Sequence, residues 1–285
     1  MGCVLSVLRG RLGPVTRPVT RSAPTLGVVF RPQSPPERLR AVARAADAAG
    51  LAELWLWEDC FLEGGPTAAT AALAWTERLR VGIGLLPVPL RNPALAAMEI
   101  ATVARLFPGR FLPGLGHGVL EWMGQVGARV PSPMTLLREH ATAVRDLLHG
   151  RTVDVDGRYV HLERVALDWP PAQVPPVLVG GRGPKTVRLA GEIGDGVLLD
   201  SGLSVEQVRA ACAQAEEGRA AAGRSGEPFR TVVYVELDTK AGGLQERVDE
   251  AVGTLTEAGA DTVVFQAPGE YPDPEPLIDA CAALS

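Results

Sequence analysis

A chain of 285 residues with 46% hydrophobic and only 5% aromatic side chains suits an aliphatic, alanine-rich α/β core of one large domain or two ordinary ones. The formal net charge of -5, with no basic stripe beyond the N-terminal arm, argues against nucleic acid as a partner, and no apolar run approaches the roughly 20 residues of a membrane span. Four dispersed cysteines (Cys3, Cys60, Cys212, Cys281) without CxxC spacing predict reduced thiols in a cytoplasmic protein, not a disulfide or zinc framework.

Residues 1–24 stand apart: they carry four arginines, no acid and several Pro and Thr, which predicts a disordered basic arm ahead of a domain over 25–285. From Leu26 onward strand and helix patterns alternate. The first strand is Leu26 to Phe30. Ser34 and Glu37 bracket Pro35 and Pro36 as a capping box, and the helix that follows sets Leu39, Val42, Ala43 and Ala46 on one face before stopping at Gly50. Glu53 to Trp57 is the second strand, ending in Glu58-Asp59, followed by an alanine-rich helix over Pro66 to Trp75. Trp55 and Trp57 share one strand face and Leu54 and Leu56 the other. The third strand, Leu79 to Leu86, runs into Pro87-Val88-Pro89; Asn92 caps and Pro93 starts the next helix.

Arg110 to Leu115 is the fourth strand, leading into Gly116-His117-Gly118 and then a helix over Pro133 to Leu148. Residues 151–170 interrupt the alternation with a β-hairpin insert turning at Asp156-Gly157. Pro175 to Val179 is the fifth strand and Gly196 to Leu199 the sixth. Ser204 and Gln207 form a capping box, Thr231 to Leu237 is the seventh strand, Leu244 to Ala258 a helix, Asp261 to Gln266 the eighth strand, and Asp273-Pro274 begin the last helix. Eight strands alternating with helices imply a parallel sheet, and eight is the number that closes a TIM barrel; an open doubly wound sheet is the alternative. In a barrel the site lies at the strand C-termini, which nominates Arg31, Asp59, Pro87, His117, Gly181 to Lys185, Asp200 and Gln266.

Gly180-Gly181-Arg182-Gly183-Pro184-Lys185, between the fifth strand and a short helix, offers close backbone approach, unpaired N–H groups and a lysine. A phosphate is the natural occupant of such a seat. His117 is the lone histidine of four at a strand end, so a metal site is not expected. Asp59 and His117 are the candidate proton-handling residues.

Several of these stretches resemble the bacterial-luciferase-like oxidoreductases that use a flavin or the deazaflavin F420. Leu106-Phe107-Pro108-Gly109-Arg110-Phe111 with Gly114 to Gly118 resembles their fourth-strand motif, and Val81 to Pro93 their third-strand motif. Gly181 to Lys185 with Leu189 to Glu192 and Asp195 to Leu198 is similar to the F420-using branch. The resemblance implies a TIM barrel, F420 (alternatively FMN) with its phosphate on Gly180 to Lys185, and a cis bond at Gly84–Leu85 backing the ring beside Gly116. It also implies a homodimer, with the helix at Pro66 to Trp75 contributing, and hydride transfer to or from a small organic substrate. An FMN-dependent monooxygenase and a cofactor-binding barrel without catalysis are the alternatives. The chain departs from the pattern where Asp59 replaces a histidine, so a histidine-based proton role does not carry over, and where Val119 replaces a glutamate, which speaks against a sugar-phosphate substrate; residues 238 to 260 are also shorter than usual.

Overall fold

Alternating β-branched runs and amphipathic helices bury their apolar faces by closing the strands on themselves and covering the outside with helices. The computed structural model describes residues 23–284, so the expectation of a disordered arm lies almost wholly outside the described residues. Parallel strands β1 (Thr25–Phe30), β2 (Glu53–Leu56), β3 (Arg80–Pro87) and β4 (Phe111–Gly116) are followed by the antiparallel hairpin β5 (Val153–Asp156) and β6 (His161–Val165). Strands β7 (Leu178–Gly180), β8 (Gly196–Leu199), β9 (Arg230–Glu236) and β10 (Thr262–Gln266) complete a closed eight-stranded barrel, with β4 pairing to β7 across the hairpin insert and β10 back to β1.

The helices follow the periodicity. In α1 (Leu39–Ala48) the buried residues are Leu39, Val42, Ala43 and Ala46, the face read from the sequence. Next come α2 (Gly65–Ala74), α3 (Pro93–Leu106) capped by the Asn92 side chain, and α4 (Leu120–Gln125), a short helix the sequence pattern did not announce. The rest are α5 (Pro133–Leu148), α6 (Pro184–Ile193), α7 (Val205–Ala221) with the Ser204–Gln207 capping box formed, α8 (Leu244–Ala258) and α9 (Glu275–Ala282). No described helix is long and apolar enough to cross a membrane.

Two local expectations fail for identifiable reasons. Ser34 does not cap: it is buried, its hydroxyl turns to the Pro272 carbonyl at 3.4 Å, and Pro35 takes the N-cap position of a 3-10 turn over Pro36–Arg38. The hairpin does not turn at Asp156-Gly157, because Asp156 pairs with His161 and the loop spans 157–160. That loop wraps the Glu139 carboxylate of α5, which accepts N–H bonds from Arg158, Tyr159 and Val160 at 2.8–3.1 Å. A tertiary anion thus displaces a two-residue turn that local sequence would favour.

Inside the barrel Val29, Trp55, Leu112, Leu178, Leu198, Val232, Tyr234 and Val264 form a cluster distinct from the outer layer, with Trp57 and Leu85 packed against it. The tryptophan face of β2 therefore points inward. Neighbouring strands make room with glycine: a Cβ on Gly82 would stand 2.4 Å from the Trp55 ring, and one on Gly27 3.0 Å from it. The indole N–H donates to Glu53 at 3.0 Å, and Glu53, fully buried at the barrel's lower end, is held by Arg80 and Arg230.

Candidate active site

The strand C-termini converge on a cavity of about 450 Å³ lined by Trp57, Glu58, Asp59, Gly84, Leu85, Pro87, His117 to Val119, Trp122, Gly180 to Arg182, Leu198, Asp200 and Tyr234. A larger cavity of about 660 Å³ lies at the opposite end, around Arg80, Gln173, Arg230 and Asp261. The upper one gathers the chemistry-bearing side chains, at the end where barrels of this architecture place their sites.

The floor is built by β3. Its pairing with β4 shifts register between Ile83 and Leu86, and the Gly84–Leu85 peptide is cis, as the resemblance implied; Cys60–Phe61 is a second cis bond. The irregularity thrusts Leu85 sideways over β4 and β7. Both of those strands carry glycine at the contact: a Cβ on Gly116 would lie 2.4 Å from Leu85 Cδ2, and one on Gly180 2.3 Å from it. A Cβ on Gly84 would meet the Tyr234 hydroxyl at 2.0 Å, so that phenol stands directly beneath the bulge. Tyr234 packs edge-on against Trp55 and Trp57, with centroid distances of 5.9 and 5.8 Å. Burial holds its hydroxyl proton far above the usual phenol range, so Tyr234 can serve as a donor but not as an anion.

The wall beside Gly180 is the loop into α6. Gly183 is the N-cap and Pro184 the first helical residue; the Gly183 carbonyl accepts from Thr186 and Val187 at 3.0 Å, and Gly181 N–H is taken by Leu198. The amides of Arg182, Gly183 and Lys185 donate to no acceptor among the described residues. With the helix dipole, amides so placed can hold an anion. Lys185 is exposed and sits at this helix end rather than on the cavity wall, whereas Arg182 lies on the wall, 3.6 Å from Asp200.

The two carboxylates ending β2 have opposite fates. Glu58 is buried, paired twice with the Arg91 guanidinium and accepting the Gly65 N–H at 2.7 Å; Arg91 is held further by Glu99 at 2.9 Å. That is a structural clamp between the ends of β2 and β3. Asp59 faces the cavity, and burial pushes its pKa up, with Arg31 opposing and Asp200 reinforcing the rise. His117 approaches Thr186 Oγ1 with Nε2 at 3.5 Å, and burial lowers its pKa, partly offset by the Pro133 carbonyl, so the imidazole is neutral at pH 7. Around the mouth, Arg31 donates to Glu236 at 2.8 Å and to the Ala267 carbonyl at 2.7 Å while stacking over Trp57 at 4.9 Å. Gln266 donates to Glu236 at 3.0 Å.

Asp59, Gly84, Leu85, His117, Gly180, Gly181 and Arg182 thus share one cavity, with Gly116 against Leu85 and Gly183, Pro184 and Lys185 forming the adjoining helix start. Sequence reasoning passed over Tyr234, Glu236 and Trp122. The first two were open to it, since Val232, Tyr234 and Glu236 alternate along the inward face of β9. Trp122 sits on the unannounced α4.

A closed parallel eight-stranded barrel with helices on its outside is a (β/α)8 architecture, and here its mouth joins an aromatic, bulged floor to the free amides of a helix start. Residues 15–241 match the family model described as luciferase-like monooxygenase, and the chain belongs to that family; the match begins inside the stretch read as an arm. Among curated relatives, the 5,10-methylenetetrahydromethanopterin reductase of Archaeoglobus fulgidus is 27% identical over 211 residues, covering 74% of this chain and 63% of the relative. The F420-dependent glucose-6-phosphate dehydrogenase of Mycolicibacterium fortuitum is 32% identical over 224 residues, covering 72% of this chain and 66% of the relative. The chain thus spans about two thirds of the length of these relatives. The solved F420-dependent secondary alcohol dehydrogenase in complex with an F420-acetone adduct superposes with a TM-score of 0.81 over 93% of this chain and 98% of that one, at 18% identity, a likeness of fold.

Proposed function

We propose that this protein is an oxidoreductase that binds coenzyme F420 at the barrel mouth and works by hydride transfer with a small organic substrate. One observation carries the reading: the free amides at the start of α6 and the Leu85 bulge, the one suited to a phosphate and the other to a flat ring, border the same cavity. Buried polar side chains around it, those of Trp57, Tyr234 and His117, fit a ligand with a polar edge. Relatives whose names specify F420 favour the deazaflavin over FMN.

When bound, the deazaflavin supplies hydride chemistry. The chain's part is to seat its phosphate on Gly181 to Lys185, back its ring with Gly84 and Leu85, and keep water out with Trp57, Trp122 and Leu198. Neutral His117 accepts the proton leaving a substrate hydroxyl, and Asp59 stands ready as its alternative. We further place the protein in the cytoplasm as a homodimer, with α2 in the interface. Titration of flavin-free protein with F420 and, separately, FMN, followed by fluorescence, tests the assignment. Tight F420 and weak FMN binding supports it; the reverse makes the protein an FMN-dependent monooxygenase; binding of neither removes the cofactor.

A further inference from the structure

The charges around the cavity do not balance in a way that suits an anionic substrate. Each arginine at the mouth already faces a carboxylate: Arg31 meets Glu236 at 2.8 Å, Arg91 is clamped by Glu58 and Glu99, and Arg182 stands 3.6 Å from Asp200. Lys185 lies at the phosphate seat. Asp59, in contrast, has no ion-pair or hydrogen-bond partner for its side chain among the described residues; it lines the cavity, where burial raises its pKa, Arg31 opposes the rise and Asp200 adds to it. The remaining wall is apolar: Pro87, Val119, Trp122 and Leu198, with Val119 45% exposed.

From this arrangement we infer that the substrate is uncharged: an alcohol or carbonyl compound with apolar substituents, carrying neither phosphate nor carboxylate. The inference rests on the proposed function for the identity of the site, but its electrostatic basis lies in the chain's own residues. An anionic group would enter a partly desolvated pocket without an unpaired cation among the described residues and beside the Asp59 carboxylate, an arrangement that both burial and Coulomb repulsion oppose. A cation would gain Asp59 but would also meet Arg31 and Arg182, and would leave the apolar wall uncovered. Oxidation of a secondary alcohol balances here as one hydride from the carbinol carbon to the deazaflavin and one proton from the hydroxyl to His117.

The test uses three probes that share one reacting group and differ in terminal charge: 2-pentanol, 4-hydroxypentanoate and 5-amino-2-pentanol. Binding is measured by calorimetry on the full chain with and without F420, and turnover by loss of the deazaflavin absorbance. The expected result is saturable binding of 2-pentanol, with 4-hydroxypentanoate weaker by at least about 100-fold, the scale of one unpaired desolvated charge, and the amine no better than the neutral probe. Asp59→Asn is expected to narrow the gap between 2-pentanol and 4-hydroxypentanoate by about 10-fold, a change of ratio that general loosening of the site would not produce. Equal or better binding of the carboxylate, preference for the amine, or no saturable binding of 2-pentanol overturns the inference. Failure of F420 to bind counts against the cofactor alone, because the charge comparison can be read on the protein without it.

Discussion

Replacing Gly180 by alanine tests the floor of the site most directly. The new Cβ would fall 2.3 Å from Leu85 Cδ2, against a comfortable carbon–carbon separation of about 3.5–4.0 Å, so more than about 1 Å must be recovered by movement. The β7 backbone is fixed by its ladder to β4 and β8, so Leu85 yields, and the open side is the cavity. Overpacking of this kind costs about 1–3 kcal/mol, and the low end applies because Leu85 is only half-buried. The expected loss is about 1 kcal/mol, a fall in Tm of about 2–4 °C, together with a 10- to 100-fold weaker F420 complex as Leu85 enters the ring's volume, or about 1.4–2.7 kcal/mol of binding. The assay is a double-mutant cycle: Gly180→Ala alone, Leu85→Ala alone, and both, each followed by thermal unfolding and F420 fluorescence titration. Leu85→Ala removes the atom that Gly180→Ala would strike, so in that background the second change should cost almost nothing. Equal penalties in both backgrounds would refute the view that Gly180 is glycine to accommodate Leu85.

Arg91→Ala leaves Glu58 buried without its counter-ion, and a loss of about 3–5 kcal/mol is expected in urea unfolding, with Glu58→Gln in the same chain recovering part of it. Gly191→Ala drives a Cβ to 2.0 Å from the Ala215 carbonyl oxygen of α7, a backbone atom with little freedom to retreat; a loss of roughly 3 kcal/mol is expected, checked by the same unfolding measurement. Burial lowers the His140 pKa from 6.5 to about 4, with Nε2 against the Arg91 carbonyl at 3.1 Å. The unfolded chain therefore binds the extra proton first, and stability should fall by up to about 3 kcal/mol as pH drops from 6.5 through 4, a slope that His140→Gln should flatten in pH-dependent urea melts. Glu63 carries the opposite sign: burial without a partner raises its pKa from 4.5 to about 7, so its folded form is favoured protonated and stability is lost as pH rises from 4.5 through 7. Glu63→Gln should raise Tm at pH 8 and leave it unchanged at pH 4.

The barrel was legible because its signals are local and repeated. The α1 face, the Asn92 and Ser204 caps and the short apolar strands each state their own structure, and eight such units leave little choice of architecture. Reversals came where a distant group intervened. Ser34 lost its capping role to the Pro272 carbonyl, and the Asp156-Gly157 turn yielded to Glu139 on a helix some twenty residues earlier. The start of α6 could be read because glycine and proline carry the turn and the first helical residue in their covalent structure. The inward direction of Trp55 could not, since it depends on holes left by Gly27 and Gly82 in two other strands.

The character of the mouth follows from a parity that sequence alone leaves open by one residue. Along β2 and just beyond it side chains alternate, so once Gly27 and Gly82 admit Trp55 to the interior, Trp57 and Asp59 share its side and Glu58 takes the other. Glu58 then meets Arg91 and becomes a clamp, while Asp59 faces the cavity with no ion pair or hydrogen bond among the described residues, only the longer-range pull of Arg31 and push of Asp200. A one-residue slip would exchange the strand faces of the two carboxylates. The side of the barrel mouth on which each carboxylate falls is thus set by steric room beneath Trp55, left by glycines in two other strands.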